Sequence, residues 1–461
     1  MFHDNSNLIS LKEIEKKLFQ QLQSYFHIVL QKVLEDLDVW IMENRDHRRF
    51  KYQEKQATTM DTVFGSITIN RRKYKDREQG ARVALLDQCL QFKGADSLSP
   101  YLTELAVDWA VRGPSYRDAR DRLKQLLGYQ AMSHEQIRQK VLQTEEVDHS
   151  VAEAKREKVA ALFLEVDGIH TPLQAHEKES REVKIGTVHE GWERRHPSSE
   201  EYQLVNKTYY HNLENSDSFW EGLSRQLYEQ YDISEETPIV INGDRAPWIR
   251  EGVSYLPQAI YNYDRYHLKK WIKQSLSKRT KKERRKAYEA ADDNDPPALL
   301  AAIAEAEKAE TDEQKKEEIS QLRIFILENQ EAFRDYRERL KERGIQTDWM
   351  RPMGSAESNM NFFSKRLKKL GYSWSVDGLD SMVRAIIHQF DGTLEEALQL
   401  RSPSDHTKKK PVQEKASITN ILKQKTKQSV GAIMGGLPLL RGREQSNYTA
   451  QALRGLAGLR F

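Results

Sequence analysis

Two aspartates stand in the same local setting in this sequence. Asp167 closes the apolar run LFLEVDG and Asp244 closes the run IVINGD, each beside a glycine. A charge at the end of an apolar strand is costly unless it is paired or bound to a cation, and open α/β sheets bind ligands at the carboxyl ends of their strands. If the two strands are neighbours, the carboxylates repel each other unless a divalent cation neutralises them. The alternative for each residue is an aspartate that caps a turn or a helix.

The chemistry that such a pair predicts is metal-dependent phosphoryl transfer. Hard cations such as Mg²⁺ prefer oxygen ligands, and they activate a water or a 3′-hydroxyl and stabilise the leaving oxygen at phosphorus. Two close carboxylates without a cation would repel a phosphodiester. We therefore expect Mg²⁺ (or Mn²⁺) as the cofactor. The sequence has no GxxxxGK[ST] or GxGxxG segment, so we expect no nucleotide cofactor.

The elements that must position the two aspartates lie within residues 158–270. Five segments predict strands, namely VAALFLEVDGIH, EVKIGTVHEGW, EYQLVNKTYYH, TPIVINGDRAPWI and QAIYNYDRYH. Two further segments, SDSFWEGLSRQLYEQY and PWIREGVSYL, predict helices that separate the last three strands. The resulting order, β-β-β-α-β-α-β, predicts a mixed sheet with helices on its faces.

This order, with an aspartate on the first and the fourth strand, resembles the RNase H-like fold. Together, the segments FLEVDGIH, INGDRAPWI, YNYDRYHLKKWI and GSAESNMNFFSKRLKKLGYSWS resemble the ISLre-type transposases of bacterial insertion sequences, which are similar in turn to the Mutator-like group. The resemblance covers about residues 60–395, and its motifs are specific as a set. It implies an α/β RNase H-like catalytic core, with a mixed five-stranded sheet, flanking helices and a helical insertion.

The resemblance also implies a third acidic ligand and a histidine. The third ligand falls on Glu357 in PMGSAESNM, which lies 113 residues after Asp244 (357 − 244) and so leaves room for an insertion. By its own sequence context Glu357 is an ordinary glutamate at a helix start. The Cys/Asp-x-x-His signature of the Mutator-like group falls on Asp264 and His267, which can share one helix face. His267 would contact the scissile phosphate or orient a ligand; the alternative is a capping aspartate and a structural histidine.

The charge distribution predicts where DNA would bind. The formal net charge is only +3, but residues 265–286 contain eleven Lys or Arg against one acidic residue, Glu283. Basic side chains beside the metal site would hold phosphates and aromatic rings would stack on unpaired bases, although charge runs are usually solvated helix faces. The predicted DNA-binding residues are Asp264, Lys269, Lys270, Lys273, Arg366, Lys368, Lys369 and Trp374.

The remaining sequence predicts a mainly α-helical N-terminal DNA-binding region. Residues 99–145 contain three helical segments, SPYLTELAVDWAVRG, SYRDARDRLKQLLG and SHEQIRQKVLQ. Two short helices with a glycine-containing turn fit a helix-turn-helix outline, although such an outline is more often ordinary packing. The long amphipathic helix before it is a packing or dimerising helix, and we expect a homodimer or higher oligomer on DNA. The predicted regions are an N-terminal helix (1–50), a β-hairpin and helical region (51–150), the catalytic core (158–270 and 346–395), a charged helical insertion (271–345) and a basic, partly flexible C-terminal tail (396–461).

The sequence predicts a cytoplasmic bacterial protein that associates with the nucleoid when it binds DNA. The single cysteine, Cys89, excludes a disulfide within one chain. The N-terminus lacks the basic and apolar segments of a signal peptide, and no apolar stretch approaches 18 residues. We expect no membrane partner.

The function expected from these features is that of a DDE transposase, a polynucleotidyl transferase. Such an enzyme cuts the transposon ends at their terminal inverted repeats and joins the freed 3′-hydroxyl to target DNA. One alternative is an RNase H-like nuclease that only hydrolyses DNA. The others are a catalytically silent DNA-binding regulator derived from a mobile element and a structural α/β protein whose acidic residues are caps.

Overall fold

A computed structural model describes residues 10–90, 92, 97–147, 156–174, 180–276, 280–354 and 356–399. These residues form two compact units: one contains the described residues up to Gln143 together with those from Glu395 onward, and the other spans Thr144–Leu394. Nearly all of the predicted C-terminal tail (396–461) lies outside the described residues, as do the side chains of Ala356 and Glu357. Within the described part, no helix combines the length and the apolarity needed to cross a bilayer.

The first unit begins with α1 (Leu11–Asn44), which confirms the predicted amphipathic helix. Ser10 and Glu13 form a capping box at its start, and this box satisfies backbone N–H groups that lack a helical partner. The second half of α1 packs on the three-stranded sheet that follows, through Leu34, Leu37 and Ile41. That sheet contains β1 (Phe50–Thr62), β2 (Gly65–Asp76) and β3 (Arg82–Val83), and α2 (Leu85–Cys89) follows it.

The predicted β-hairpin is confirmed, and its strands are longer than the sequence indicated. The three predicted helical segments of residues 99–145 are also present, as α3 (Pro100–Arg112), α4 (Tyr116–Leu127) and α5 (His134–Leu142). Each begins after a serine whose side chain accepts a backbone N–H: Ser99, Ser115 and Ser133. Serine caps therefore set where each of these helices starts.

The second unit contains a mixed five-stranded sheet, as predicted. Its strands are β4 (Leu162–Pro172), β5 (Ser180–His189), β8 (Thr208–Asn212), β9 (Ile239–Gly243) and β10 (Ala259–Tyr263), in the order β10-β9-β4-β5-β8. Strands β4, β9 and β10 are parallel, whereas β5 is antiparallel to both β4 and β8. The central strand β4 thus has a parallel neighbour on one side and an antiparallel one on the other.

The predicted third strand is divided in two. Its first part is β7 (Tyr202–Leu204), which pairs with β6 (Trp192–Arg194) in a separate two-stranded sheet, and its second part is β8. Asn206 lies between them with φ 47°, a left-handed conformation that asparagine tolerates and that ends an extended segment. The break lets the chain leave the small hairpin and join the edge of the main sheet.

Helices cover both faces of the five-stranded sheet. One face carries Leu164, Ile241 and their neighbours, which pack with Phe219, Trp220 and Leu223 of α6 (Ser216–Gln230). The short helices α7 (Pro247–Arg250) and α8 (Gly252–Tyr255) complete that layer. On the opposite face, Phe163, Val240 and Ile260 pack with α13 (Tyr336–Glu342). Strands β4 and β9 are buried on both faces, which explains their nearly continuous apolar sequences.

The helical insertion is present and has a core of its own. It contains α9 (Arg265–Ser275), α10 (Lys281–Asp292), α11 (Pro296–Ala309), α12 (Glu313–Glu328) and a 3₁₀ helix (Gln330–Phe333). Leu268 and Ile272 of α9 pack in the same cluster as Ile303 and Leu322, so α9 runs across the boundary expected at residue 270. The unit continues with α14 (Ala356–Leu367) and α15 (Val376–Asp391), and α16 (Leu394–Ala397) lies at the end of the described chain.

Candidate metal centre

Asp167 and Asp244 lie side by side at one edge of the sheet, as the two apolar runs predicted. Strands β4 and β9 are parallel, and Val166 pairs with Gly243. The residue that follows each member of this pair is an aspartate. Gly243 allows this close approach, because a Cβ at its position would lie 2.8 Å from the Val166 carbonyl oxygen. Backbone amides hold both carboxylates: Gly168 N donates to Asp167 Oδ1 and Ala246 N donates to Asp244 Oδ1, at 2.8 and 2.9 Å.

His267 lies between the two aspartates. Its Nε2 is 3.9 Å from Asp167 Oδ2 and its Nδ1 is 3.7 Å from Asp244 Oδ2. One ligand atom from each of the three residues falls within 4.8 Å of the others. These separations exceed hydrogen-bond lengths, and they suit three donors arranged around one cation.

The electrostatics of the three groups fit a cation site. Burial raises the pKa of Asp167 to about 6, although the charge of His267 opposes the shift. Burial would also raise the pKa of Asp244, but His267, the Ala246 amide and Arg245 outweigh it and lower that pKa below its ordinary value. Burial would lower the pKa of His267, yet the nearby carboxylates, Asp244 first, raise it. The two carboxylates therefore favour the protonated form of His267 when no metal ion is bound.

Asp264 is a buried residue that caps the helix carrying His267. It is only 3% exposed and caps α9, since its Oδ1 accepts the His267 backbone N–H at 3.0 Å. Its Oδ2 accepts a hydrogen bond from Asn242 Nδ2 at 3.0 Å, and Asn242 Oδ1 accepts one from Asn262 Nδ2 at 2.7 Å. Both of its oxygens are used inside the protein, so the structure supports the capping alternative for Asp264, while the DNA contact stays a prediction.

A buried glutamate connects the centre to α14. Glu165 lies two residues before Asp167 on the same face of β4 and is 2% exposed. Its Oε1 lies 3.4 Å from the Gly354 backbone N and 3.8 Å from His189 Nε2. Gly354 immediately precedes the segment from which α14 begins, and α14 packs against β4. Glu357 belongs to the first turn of α14, so this helix start lies beside the strand of Asp167, while the Glu357 side chain is outside the described residues.

The predicted DNA-binding residues divide into two groups. Lys270, Lys273, Lys368 and Lys369 are exposed, and Lys269 is half-buried in an ion pair with Asp292. Arg366 and Trp374 are buried, at 4% and 7% exposure, with the Arg366 guanidinium over the Trp374 ring and the indole N–H bonded to the Leu367 carbonyl. These two residues pack together beside α14 and expose little surface, and their contact with DNA stays a prediction.

Sequence reasoning missed the polar residues behind the carboxylates. Glu165, Asn242 and Asn262 occupy one row across β4, β9 and β10, one pleat away from Asp167, Asp244 and Asp264. The period of two along a strand was a usable signal, because Glu165 and Asn242 each precede a candidate aspartate by two residues. The site thus lies in front of a second polar row that crosses β4, β9 and β10.

The donor set fits the expected cofactor. Two carboxylates and an imidazole could hold a metal ion, and oxygen and imidazole ligands suit Mg²⁺ and Mn²⁺. The partly buried carboxylate of Asp167 supports this assignment, since a bound cation would offset the cost of its ionisation.

Comparisons with known proteins concern nearly the whole chain. The profile of a family described as "Uncharacterised protein family (UPF0236)" matches residues 4–402. A UPF0236 protein of Caldanaerobacter subterraneus subsp. tengcongensis is 27% identical over 384 residues, which is 83% of this chain and 78% of the relative. A second protein from that organism, 26% identical over 384 residues (83% and 77%), has a name that joins eleven locus designations. A Streptococcus gallolyticus relative, "UPF0236 protein in vanSb 3'region", is 26% identical over 396 residues, 84% of each chain.

Proposed function

We propose that this chain, which belongs to the uncharacterised protein family UPF0236, is a DDE transposase with an RNase H-like core. The observation that carries the proposal is the convergence of Asp167, Asp244 and His267 at the carboxyl edge of one sheet. These residues come from segments about 77 and 23 positions apart (244 − 167 and 267 − 244), and only the fold brings them together.

The strand order supports the RNase H-like assignment. Numbered within the sheet, β4, β5, β8, β9 and β10 are strands one to five, in the order 5-4-1-2-3 with only the second antiparallel to the rest. The two aspartates then lie on the first strand and directly after the fourth, which are neighbours. This is the arrangement that the resemblance of the sequence implies, with α9–α12 as the insertion before the third acidic residue.

The relatives support a mobile element. One relative carries eleven locus designations in a single genome, and further relatives with other designations come from the same organism. Near-identical proteins at many loci are what repeated insertion of one element produces. A gene for a metabolic enzyme or a structural protein is not expected at so many loci of one genome. The number of loci therefore favours transposition over those classes.

In the proposed mechanism, the protein holds two reacting groups of DNA at one point. Asp167, Asp244 and Glu357 would hold the Mg²⁺ or Mn²⁺, which supplies activation of the attacking oxygen and charge stabilisation at phosphorus. His267, the charged neighbour of both aspartates, would contact the scissile phosphate or orient a carboxylate. The first reaction breaks a phosphodiester at the transposon end with water, and the second forms a new one between the freed 3′-hydroxyl and the target strand.

Exposed lysines next to the centre would bind the double-stranded DNA. Lys270 and Lys273 follow His267 on α9, and Lys368 and Lys369 follow α14. Phosphate contacts by lysine position a duplex without reading its sequence, so these residues would hold both the terminal repeats and the target. Recognition of the repeats themselves would fall to the first unit.

The test is a pair of assays on DNA ends cloned from the flanks of the gene. Purified protein with Mn²⁺ should cleave the uncut ends and should join pre-cut ends to a plasmid. Asp167→Asn and Asp244→Asn should lose both reactions by at least about a thousandfold, since each removes a cation ligand, while end binding is retained. The control is Asp312→Asn, which changes an exposed cap of α12 and should behave as wild type.

Three outcomes would contradict the proposal. Cleavage without any joined product would identify a hydrolytic nuclease. End binding without Mn²⁺-dependent cleavage would identify a silent regulator. Wild-type cleavage by either aspartate variant would exclude the assigned centre.

A further inference from the structure

The hydrogen bond between Asn242 and Asp264 is buried directly behind the candidate metal centre. Asn242 is 1% and Asp264 3% exposed, and their Nδ2–Oδ2 distance is 3.0 Å. At this depth water cannot replace a lost partner, and a buried polar group left without one is costly. Neither residue touches the point between Asp167, Asp244 and His267, so their contribution to the site has to be indirect.

The direction of each bond in this chain is determined. The amide nitrogen of Asn242 donates to Asp264, and the amide oxygen of Asn242 accepts from Asn262. The other oxygen of Asp264 accepts the His267 backbone N–H at 3.0 Å. The chain therefore runs from Asn262 through Asn242 and Asp264 to the backbone of His267.

We propose that Asn242 and Asp264 are positioning residues, which hold the first turn of α9 so that the His267 imidazole faces both Asp167 and Asp244. This inference rests on the proposed metal centre. Strand β9 carries Asn242 two residues before Asp244, and α9 carries His267 three residues after Asp264. The bond thus ties the helix that supplies the histidine directly to the strand that supplies one aspartate.

The geometry explains why this bond matters for a cation. Asp264 must keep one rotamer to cap α9 and accept from Asn242 at the same time. Without the Asn242 bond its side chain can turn, the cap loosens, and the imidazole shifts relative to the two carboxylates. Loss of such outer partners typically lowers metal affinity or activity by about 10–100-fold.

The experiment exchanges the two side chains. Asn242→Asp places two carboxylates against each other and should lower Mn²⁺ affinity about 10–100-fold. Asp264→Asn should give a smaller loss, because the amides of Asn242 and Asn262 can turn to restore partners. The double variant Asn242→Asp/Asp264→Asn restores the bond with donor and acceptor reversed, and residue 264 can still cap α9. Its affinity should return to within about threefold of wild type.

The readout is free Mn²⁺ measured by electron paramagnetic resonance at pH 8, with circular dichroism to establish that every variant is folded at the temperature used. Asp167→Asn is the reference for a lost ligand, and Asn44→Asp, at an exposed amide in the first unit, is the matched control. If Asp167→Asn binds Mn²⁺ as wild type does, the metal centre itself is wrong.

If Asp167→Asn loses binding, the same data decide on the positioning pair. Wild-type affinity in folded Asn242→Asp would overturn the inference, as would a double variant no better than Asn242→Asp alone. A purely structural role would lower the melting temperature of the single variants and leave Mn²⁺ affinity unchanged.

Discussion

The Mn²⁺ affinity of the candidate centre should rise with pH in a manner set by the burial of Asp167. Burial raises the pKa of this carboxyl to about 6, and a carboxylate must lose its proton before it can bind a metal ion. His267 also has a raised pKa, and an imidazolium has no lone pair for a cation and repels it. Both protons must leave the site, so the affinity increases as pH increases.

The Asp167 proton alone sets the minimum size of the effect. With a pKa of about 6, about one carboxyl in eleven is ionised at pH 5 and about ten in eleven at pH 7, so the apparent affinity should rise about tenfold over this interval. The His267 proton adds to this rise, mainly at the upper end of the interval and above it. Asp244, whose pKa is lowered, stays ionised throughout and contributes nothing.

The assay is an isothermal titration with Mn²⁺ at constant ionic strength between pH 5 and 8. His267→Gln is the informative control, because the charge of His267 lowers the pKa of Asp167. In that variant the histidine contribution disappears and the remaining midpoint should move above 6. An affinity that is constant from pH 5 to 7, or a midpoint near 4 as for an exposed carboxyl, would refute this reasoning.

Two further predictions concern stability and DNA binding. Burial raises the pKa of Asp391 to about 7. Its ionisation therefore destabilises the folded protein increasingly between about pH 4 and pH 7, and fully above pH 7. Asp391→Asn should raise the free energy of unfolding by at most about 4 kcal/mol at pH 8 and should leave it unchanged at pH 4. Urea unfolding at both pH values measures this, and an equal effect at both would contradict it. Lys270→Ala and Lys273→Ala should each weaken DNA binding and reduce the salt dependence of log K by about 0.9. Fluorescence anisotropy at several salt concentrations checks the change, and the exposed Lys308→Ala in the insertion should leave the slope unaltered.

The sequence was sufficient to predict the strands of the core and the two aspartates. The β4 and β9 segments are almost entirely apolar because both faces of these strands are covered, and a charge at the end of such a segment marks the sheet edge. Asp264 and His267 were predictable as a pair, since a capping aspartate and the residue three positions later meet at the start of a helix. The sequence did not decide between capping and DNA contact for Asp264, because that depends on its burial.

The burial of Arg366 was predictable from helix periodicity. In α14, Met360, Phe363 and Leu367 form the buried stripe, and Arg366 lies three residues after Phe363, on its inner side. Charge alone placed Arg366 with Lys368 and Lys369, whereas Arg366 belongs to α14 and the two exposed lysines follow its end. An arginine next to an apolar stripe is therefore better predicted as a partner for a buried aromatic ring, which is its observed contact.

The register between strands that are distant in the chain cannot be predicted from the sequence of any single segment. Asn242 is one pleat from Asp244 and Glu165 is one pleat from Asp167, but their alignment into a second polar row depends on how β4 pairs with β9. A shift of one residue in that pairing would turn every side chain of the shifted strand to the opposite face. Asp244 would then face α6, away from Asp167. The buried residues Leu164 and Ile241 fix the register by packing on α6, so the apolar core determines the geometry of the carboxylates, and a change of register would destroy the candidate centre without altering any of its residues.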